Sequence, residues 1–176
     1  MPYSKKAVTR TFRIDPTWLE VLESEAEEQG ITSSALINQI LKKYSLTWRF
    51  DEKDRAINLS HESLKDMVES LNKEQLVKIG HKTGQELSSN YFYLTGKKEV
   101  ESVISFLNLQ LGKYCGWYQL HYSKENKQYQ VLLSHQISIK WSIWLQNVME
   151  TFLENVLSYS IKSEVLENSV KLTFNT

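Results

Sequence analysis

Residues 8–45 hold one alternating run followed by two capped helical patterns, and a unit this small cannot enclose a core alone. From Thr9 onward, polar and apolar or long side chains alternate. Thr9, Thr11 and Arg13 face one way while Phe12 and Ile14 face the other, which is the period of a strand. Asp15-Pro16 ends the run, since Asp caps helices well and proline suits a first helical position. A helix is predicted over Pro16–Gln29. Leu19, Leu22 and Ala26 form its stripe, with Trp18 beside it and Glu20, Glu23, Glu27 and Glu28 on the other faces. Gly30 is its stop. Thr32 or Ser33 caps a second helix over about Ser33–Ser45, with Leu36, Ile37, Ile40, Leu41 and Tyr44 in register. A lone strand leaves two open edges. Pairing two copies closes them, so a homodimer is expected, with an antiparallel two-stranded ribbon and four helices around one core.

The charge-dense stretch 49–56 reads as a hinge or a continued solvated helix. Ser60 caps a helix carrying Leu64, Met67, Val68 and Leu71. Asn72 and Gln75 have capping-box spacing and open a short helix that stops near Gly80 to Gly84. Tyr91–Leu94 is a candidate strand, and Lys97–Gly112 a helix. Trp117–Ser123 and Gln128–His135 form a hairpin around 124–127. Pairing Ser123 with Gln128 sets Tyr122 against Tyr129, Leu120 against Val131 and Tyr118 against Leu133. Ser138–Leu157 is the longest helix, and strands follow at about 159–166 and 169–175. The fold class is α+β. Its parts are an N-terminal unit at 1–48, a helical connector at 49–84, and an antiparallel sheet with two helices on one face at 85–176.

Charge and cysteine content set limits on function. The chain has 21 basic and 21 acidic side chains, so it is not basic throughout, yet residues 1–14 hold four basic groups and no acidic one. The single cysteine, Cys115, excludes an internal disulfide and a Cys-rich zinc module. It fits a reducing, cytoplasmic setting. No apolar run is long enough to span a membrane, and no apolar segment follows Met1–Lys6 as a secretory signal requires.

Thr9-x-Thr11-Phe12-Arg13-Ile14-Asp15-Pro16, then Leu19 and Leu22, then Gly30-Ile31-Thr32-Ser33-Ser34-Ala35-Leu36-Ile37, then Ile40 and Tyr44, together resemble a ribbon-helix-helix domain of the Arc and MetJ type. Arg10 departs from the pattern, standing where an inward apolar residue is expected. The resemblance implies a cytoplasmic, homodimeric, DNA-binding transcription regulator, such as a repressor. Double-stranded DNA would be its partner, with the ribbon in the major groove. Thr9, Thr11 and Arg13 would read bases. Lys5, Lys6, Thr32, Ser33 and Ser34 would meet phosphates, the last three at a helix N-terminus. The C-terminal part would extend the dimer or sense a small-molecule effector, and a tetramer of two dimers stays open.

Three further readings concern that C-terminal part. Nickel-responsive repressors join a similar N-terminal unit to an α+β domain, which makes Cys115, His121 and His135 candidate metal ligands. The predicted hairpin register places His135 and His121 on opposite faces, with Cys115 about 20 Å along the strand from His121. No metal or cofactor is therefore expected. His135 reads as a satisfied strand-end histidine, His121 as a surface residue, and Cys115 as a small buried apolar group. Trp117, Tyr118, Tyr122, Trp141 and Trp144 line either a ligand pocket or, more simply, a core or dimer surface. No nucleotide-binding, zinc-protease or hydrolase motif occurs, so an enzyme is not expected. The competing class is an antitoxin-like or scaffolding module that binds a protein partner. An architectural DNA-binding protein with little sequence preference is a third.

Overall fold

The computed structural model describes residues 8–48 and 59–176. The chain divides into two compact units, Met1–Asp54 and Arg55–Thr176. Among the described residues the architecture is α+β, with six α-helices and one four-stranded antiparallel sheet.

The first unit contains α1 (Pro16–Glu28) and α2 (Ser33–Lys43). Asp15 caps α1 by accepting from the Thr17 backbone N–H at 2.9 Å and from the Thr17 hydroxyl at 2.5 Å. Gly30, at φ +65°, turns the chain after α1. Thr32 then caps α2 through the Ala35 N–H at 3.2 Å. A five-residue wide helical turn, Tyr44–Trp48, extends α2, and Lys43 Nζ lies 4.8 Å from the Trp48 ring centre. The strand expected at 9–14 is not formed: residues 8–15 carry no regular structure. Alternation prepares a strand, but the backbone groups need a partner strand before the period has consequences.

The second unit contains α3 (His61–Glu69), α4 (Lys73–Thr95), α5 (Val100–Phe106), β1 (Gln119–Glu125), β2 (Gln128–Ser134), α6 (Ile139–Leu157), β3 (Lys162–Leu166) and β4 (Ser169–Asn175). A wide helical turn, Leu107–Tyr114, continues α5. Ser60 caps α3, and Asn72 and Gln75 close a complete capping box on α4, with both bonds at 2.9 Å. Lys140 Nζ donates to the carbonyls of Glu69 and Leu71 at 2.6 and 2.8 Å, which satisfies acceptors left open where α3 ends.

Two expectations change in α4. Gly80 and Gly84 do not stop it, and Tyr91–Leu94 is its last turn rather than a strand. The boundary expected between residues 84 and 85 therefore falls inside one helix. The glycines serve the contact with α6. A Cβ on Gly80 would sit 2.7 Å from Asn147 Cβ and 2.8 Å from the Trp144 carbonyl. One on Gly84 would sit 2.6 Å from the Val148 carbonyl. Ser88, one turn further, is buried on the same side, bonding the Gly84 carbonyl and accepting from Asn155. The stripe of small residues lets the two backbones approach where larger side chains would hold them apart.

α6 is buried on both sides, which suits an element at the centre of a layered unit. Trp144, Asn147, Val148 and Thr151 meet α4, while Gln146 and Glu150 bond Ser163 of β3 on the other side. The sheet order is β1-β2-β4-β3. Its inner face carries Tyr129, Val131 and Leu133 opposite Phe174, Leu172 and Val170.

The hairpin register differs from expectation by two residues. Glu125 pairs with Gln128, so Leu120 meets Leu133 and Tyr122 meets Val131. Only Asn126 and Lys127 form the turn, and Asn126 supplies a positive φ of 55°. A two-residue shift preserves which face each side chain occupies, so the apolar pattern alone could not separate the two registers. The helix predicted over 97–112 begins at Val100 and loses its regular pitch after Phe106.

Candidate functional site

Residues Phe12, Arg13, Ile14, Trp18, Leu22, Ile37, Ile40 and Leu41 line one largely apolar groove of about 290 Å³ in the first unit. Trp18 and Leu22 come from α1, and Ile37, Ile40 and Leu41 from α2; all but Trp18 belong to the stripes read from the sequence, so that periodicity builds most of the groove. What that periodicity fails to do is bury itself. Among the described residues of this unit only Ala26 and Leu36 are buried. Phe12 is 60% exposed, Trp18 69%, Val21 68% and Leu41 53%.

The residues expected to touch DNA are placed as follows. Lys5 and Lys6 lie outside the described residues. Thr9, Thr11 and Arg13 are exposed, but without a strand they do not form one presenting face. Thr32 is occupied as the α2 cap, Ser33 is half-buried and Ser34 is exposed. The groove is not legible in the sequence, where Phe12, Ile14 and their helical neighbours read as a closed core.

In the second unit the three candidate metal ligands are not brought together, and no group of three or more metal-binding side chains occurs among the described residues. His121 is exposed on β1, as expected. Cys115 is exposed rather than buried, because the chain turns there between the wide helical turn and β1. His135 is 8% exposed just past the end of β2. Its Nδ1 accepts from the Ile137 N–H at 3.4 Å and its Nε2 lies 2.8 Å from Ser142 Oγ, which in turn donates to the Glu167 carbonyl at 3.3 Å. That arrangement suits neutral imidazole with its proton on Nε2. Burial pushes its pKa down to about 4.

The aromatic residues of the second unit form packed clusters. Trp117 stands edge-on to Trp141 and Trp144, at ring separations of 6.2 and 5.1 Å, and those two are 4.2 Å apart. Trp141 and Trp144 are both buried, so neither is presented to a partner. Tyr118 is buried, donates to the Leu107 carbonyl at 3.3 Å, and has its pKa raised well above the usual phenol value by that burial. Tyr122, expected with this group, is exposed on the edge strand. No helix among the described residues is long and apolar enough to cross a membrane.

No family model matches the chain, and no curated protein matches it. Among solved structures it is similar to a trafficking protein particle complex subunit 3 from Naegleria fowleri, crystallised covalently bound to palmitic acid. The similarity covers 90% of this chain and 97% of that one, at 15% identity and a TM-score of 0.41. The identification of residues 8–45 as a ribbon-helix-helix domain is corrected on these findings. No family model supports it, and the segment that should form the ribbon contains no strand. The expectations that depended on it are corrected with it: a DNA-binding transcription regulator or repressor, and double-stranded DNA as partner.

Proposed function

We propose that this protein is a non-enzymatic, scaffolding protein-interaction module, and that its first unit takes an amphipathic helix of a partner protein. The observation that carries this reading is the exposed apolar groove between residues 12–14, α1 and α2. Water-exposed surface of this kind marks a protein contact. Aromatic anchors such as Phe12 and Trp18 are the side chains that dominate such contacts. A helix laid in the groove with apolar residues at positions i, i+3, i+4 and i+7 covers it. The neighbouring outer face of α1 carries Glu20, Glu23, Glu27 and Glu28, all exposed, so a partner with lysine or arginine flanking its apolar stripe is favoured. A cytoplasmic setting belongs to the same proposal, supported by a lone cysteine that leaves the chain no internal disulfide.

The test is a photocrosslinking amino acid placed at Leu41 in cells of the source organism, with the same amino acid at Glu23 as control. Leu41 lies in the groove and Glu23 on another face of α1. One discrete protein adduct at Leu41 that is absent at Glu23 is expected. Equal yields at both positions, or an adduct with nucleic acid in place of protein, would refute the reading.

A further inference from the structure

A cleft of about 490 Å³ opens in the second unit between the chain from Gly112 to Gln119, the segment after β2, and His61 at the start of α3. Its size falls within the range of small-molecule sites. Its chemistry is lopsided. Lys113 and His61 contribute basic groups, Gln119 and Gln136 contribute amides, and no carboxylate is among its lining residues. Among the described residues, these four side chains form no ion pair and no side-chain hydrogen bond with the protein, so their donors remain available.

The wall is prepared for something flat. Trp117 lines the cleft and is half-buried, held edge-on by Trp141 and Trp144 behind it. A ring fixed in this way offers contact area at little further entropy cost. The backbone that carries Lys113 is the wide helical turn Leu107–Tyr114, a conformation found often at functional sites. Gly116, at φ +70°, lets the chain double back so that Lys113 and Trp117 line one opening. His135 forms part of the lining but is neutral and already hydrogen-bonded, so it adds shape rather than charge.

We propose that this cleft binds a small anion borne on a planar ring. Lys113 and His61 receive the anionic group and Trp117 receives the ring. The anionic group is a phosphate or a carboxylate; both accept charge-assisted hydrogen bonds from lysine and imidazole donors.

The experiment is calorimetric titration of the full chain at neutral pH with AMP, adenosine, salicylate and inorganic phosphate. Lys113→Gln is the test variant, and Lys127→Gln, in the exposed hairpin turn, is the control. Both positions are exposed, so neither change threatens folding. Saturable binding of AMP or salicylate is expected, weakened about tenfold in Lys113→Gln and unchanged in Lys127→Gln. AMP alone binding identifies a phosphate site, and salicylate alone a carboxylate site. Adenosine binding as well as AMP, phosphate binding as well as AMP, or Lys113→Gln matching the wild type would each overturn the proposal, as would no saturable heat with any probe.

Discussion

The two units treat the same kind of side chain in opposite ways. In the second, Tyr91, Phe106 and Phe152 contact one another with ring centres 5.0 to 5.9 Å apart, and Phe152 is wholly buried. In the first, Phe12 and Trp18 stand mostly in water. The aromatic side chains are of the same kind in the two places; the number of layers around them is not. α6 has a sheet on one side and α4 on the other, so both of its apolar sides find a partner. α1 and α2 have each other and an irregular N-terminal segment, and one side of the pair remains open. An apolar stripe therefore specifies a contact without saying whether the same chain provides it.

The comparison extends to glycine, where the largest effect is expected. Gly84 is required by space and Gly30 by backbone angle. Gly84→Ala drives a Cβ into the Val148 carbonyl and the Thr151 side chain, so α4 and α6 must separate. A loss of about 3 kcal/mol in the second unit is expected. Gly30→Ala meets no atom within 4 Å and bears only the strain of positive φ. Its cost is about 1 kcal/mol, confined to the first unit. Urea unfolding followed by tryptophan fluorescence, with hydrogen exchange to assign each change to its unit, measures both. Equal costs would show that the close approach of α4 and α6 is not a structural requirement.

A smaller effect separates the units by pH. His135 is neutral in the folded state, with its pKa lowered to about 4 against 6.5 for an unperturbed histidine. Between those values the unfolded chain binds the extra proton, so stability is full above about pH 6.5 and falls as pH drops toward 4. Desolvation is the cause, and protonation also removes the acceptor that Nδ1 offers to the Ile137 N–H. A loss of about 2 kcal/mol in the second unit is expected by about pH 5. Urea midpoints at several pH values, compared between wild type and His135→Gln, test it. The idea fails if the variant loses as much stability across that range as the wild type.

Much of the fold was readable because local chemistry determined it. Asp15-Pro16, Thr32, Ser60 and Asn72 with Gln75 start helices through bonds that need only neighbouring residues. The α6 stripe and the alternation in β4 were equally direct. The errors arose where one residue type serves two purposes. Glycine ends helices and also permits close helix contacts, and only the presence of α6 decides between these at Gly80 and Gly84. Alternation at 9–14 satisfies a strand but cannot supply the neighbouring strand. Of the candidate sites, the bonded role of His135 and the packed role of Trp141 and Trp144 were legible from spacing. The groove was not, since most of its apolar residues read as core. Nor was the cleft beside Lys113, because Lys113, His61 and Gln136 are distant in sequence and converge only in the folded unit.

The smallest expected effect is the most discriminating for the first unit. If Trp18 faces water because a partner covers it, replacing it should scarcely matter to the chain alone. Trp18→Lys removes a mostly exposed ring and adds a charge at the groove. The expected change in stability is within about 0.5 kcal/mol, as for other surface substitutions. The same charge would be buried unpaired beneath a bound helix, which is costly, so the Leu41 crosslink should disappear. Hydrogen exchange over α1 and α2 supplies the stability measurement, and the crosslink yield supplies the other. Should Trp18→Lys instead unfold α1 and α2, the ring belongs to the unit's own core, and the contrast between a closed second unit and an open first one collapses.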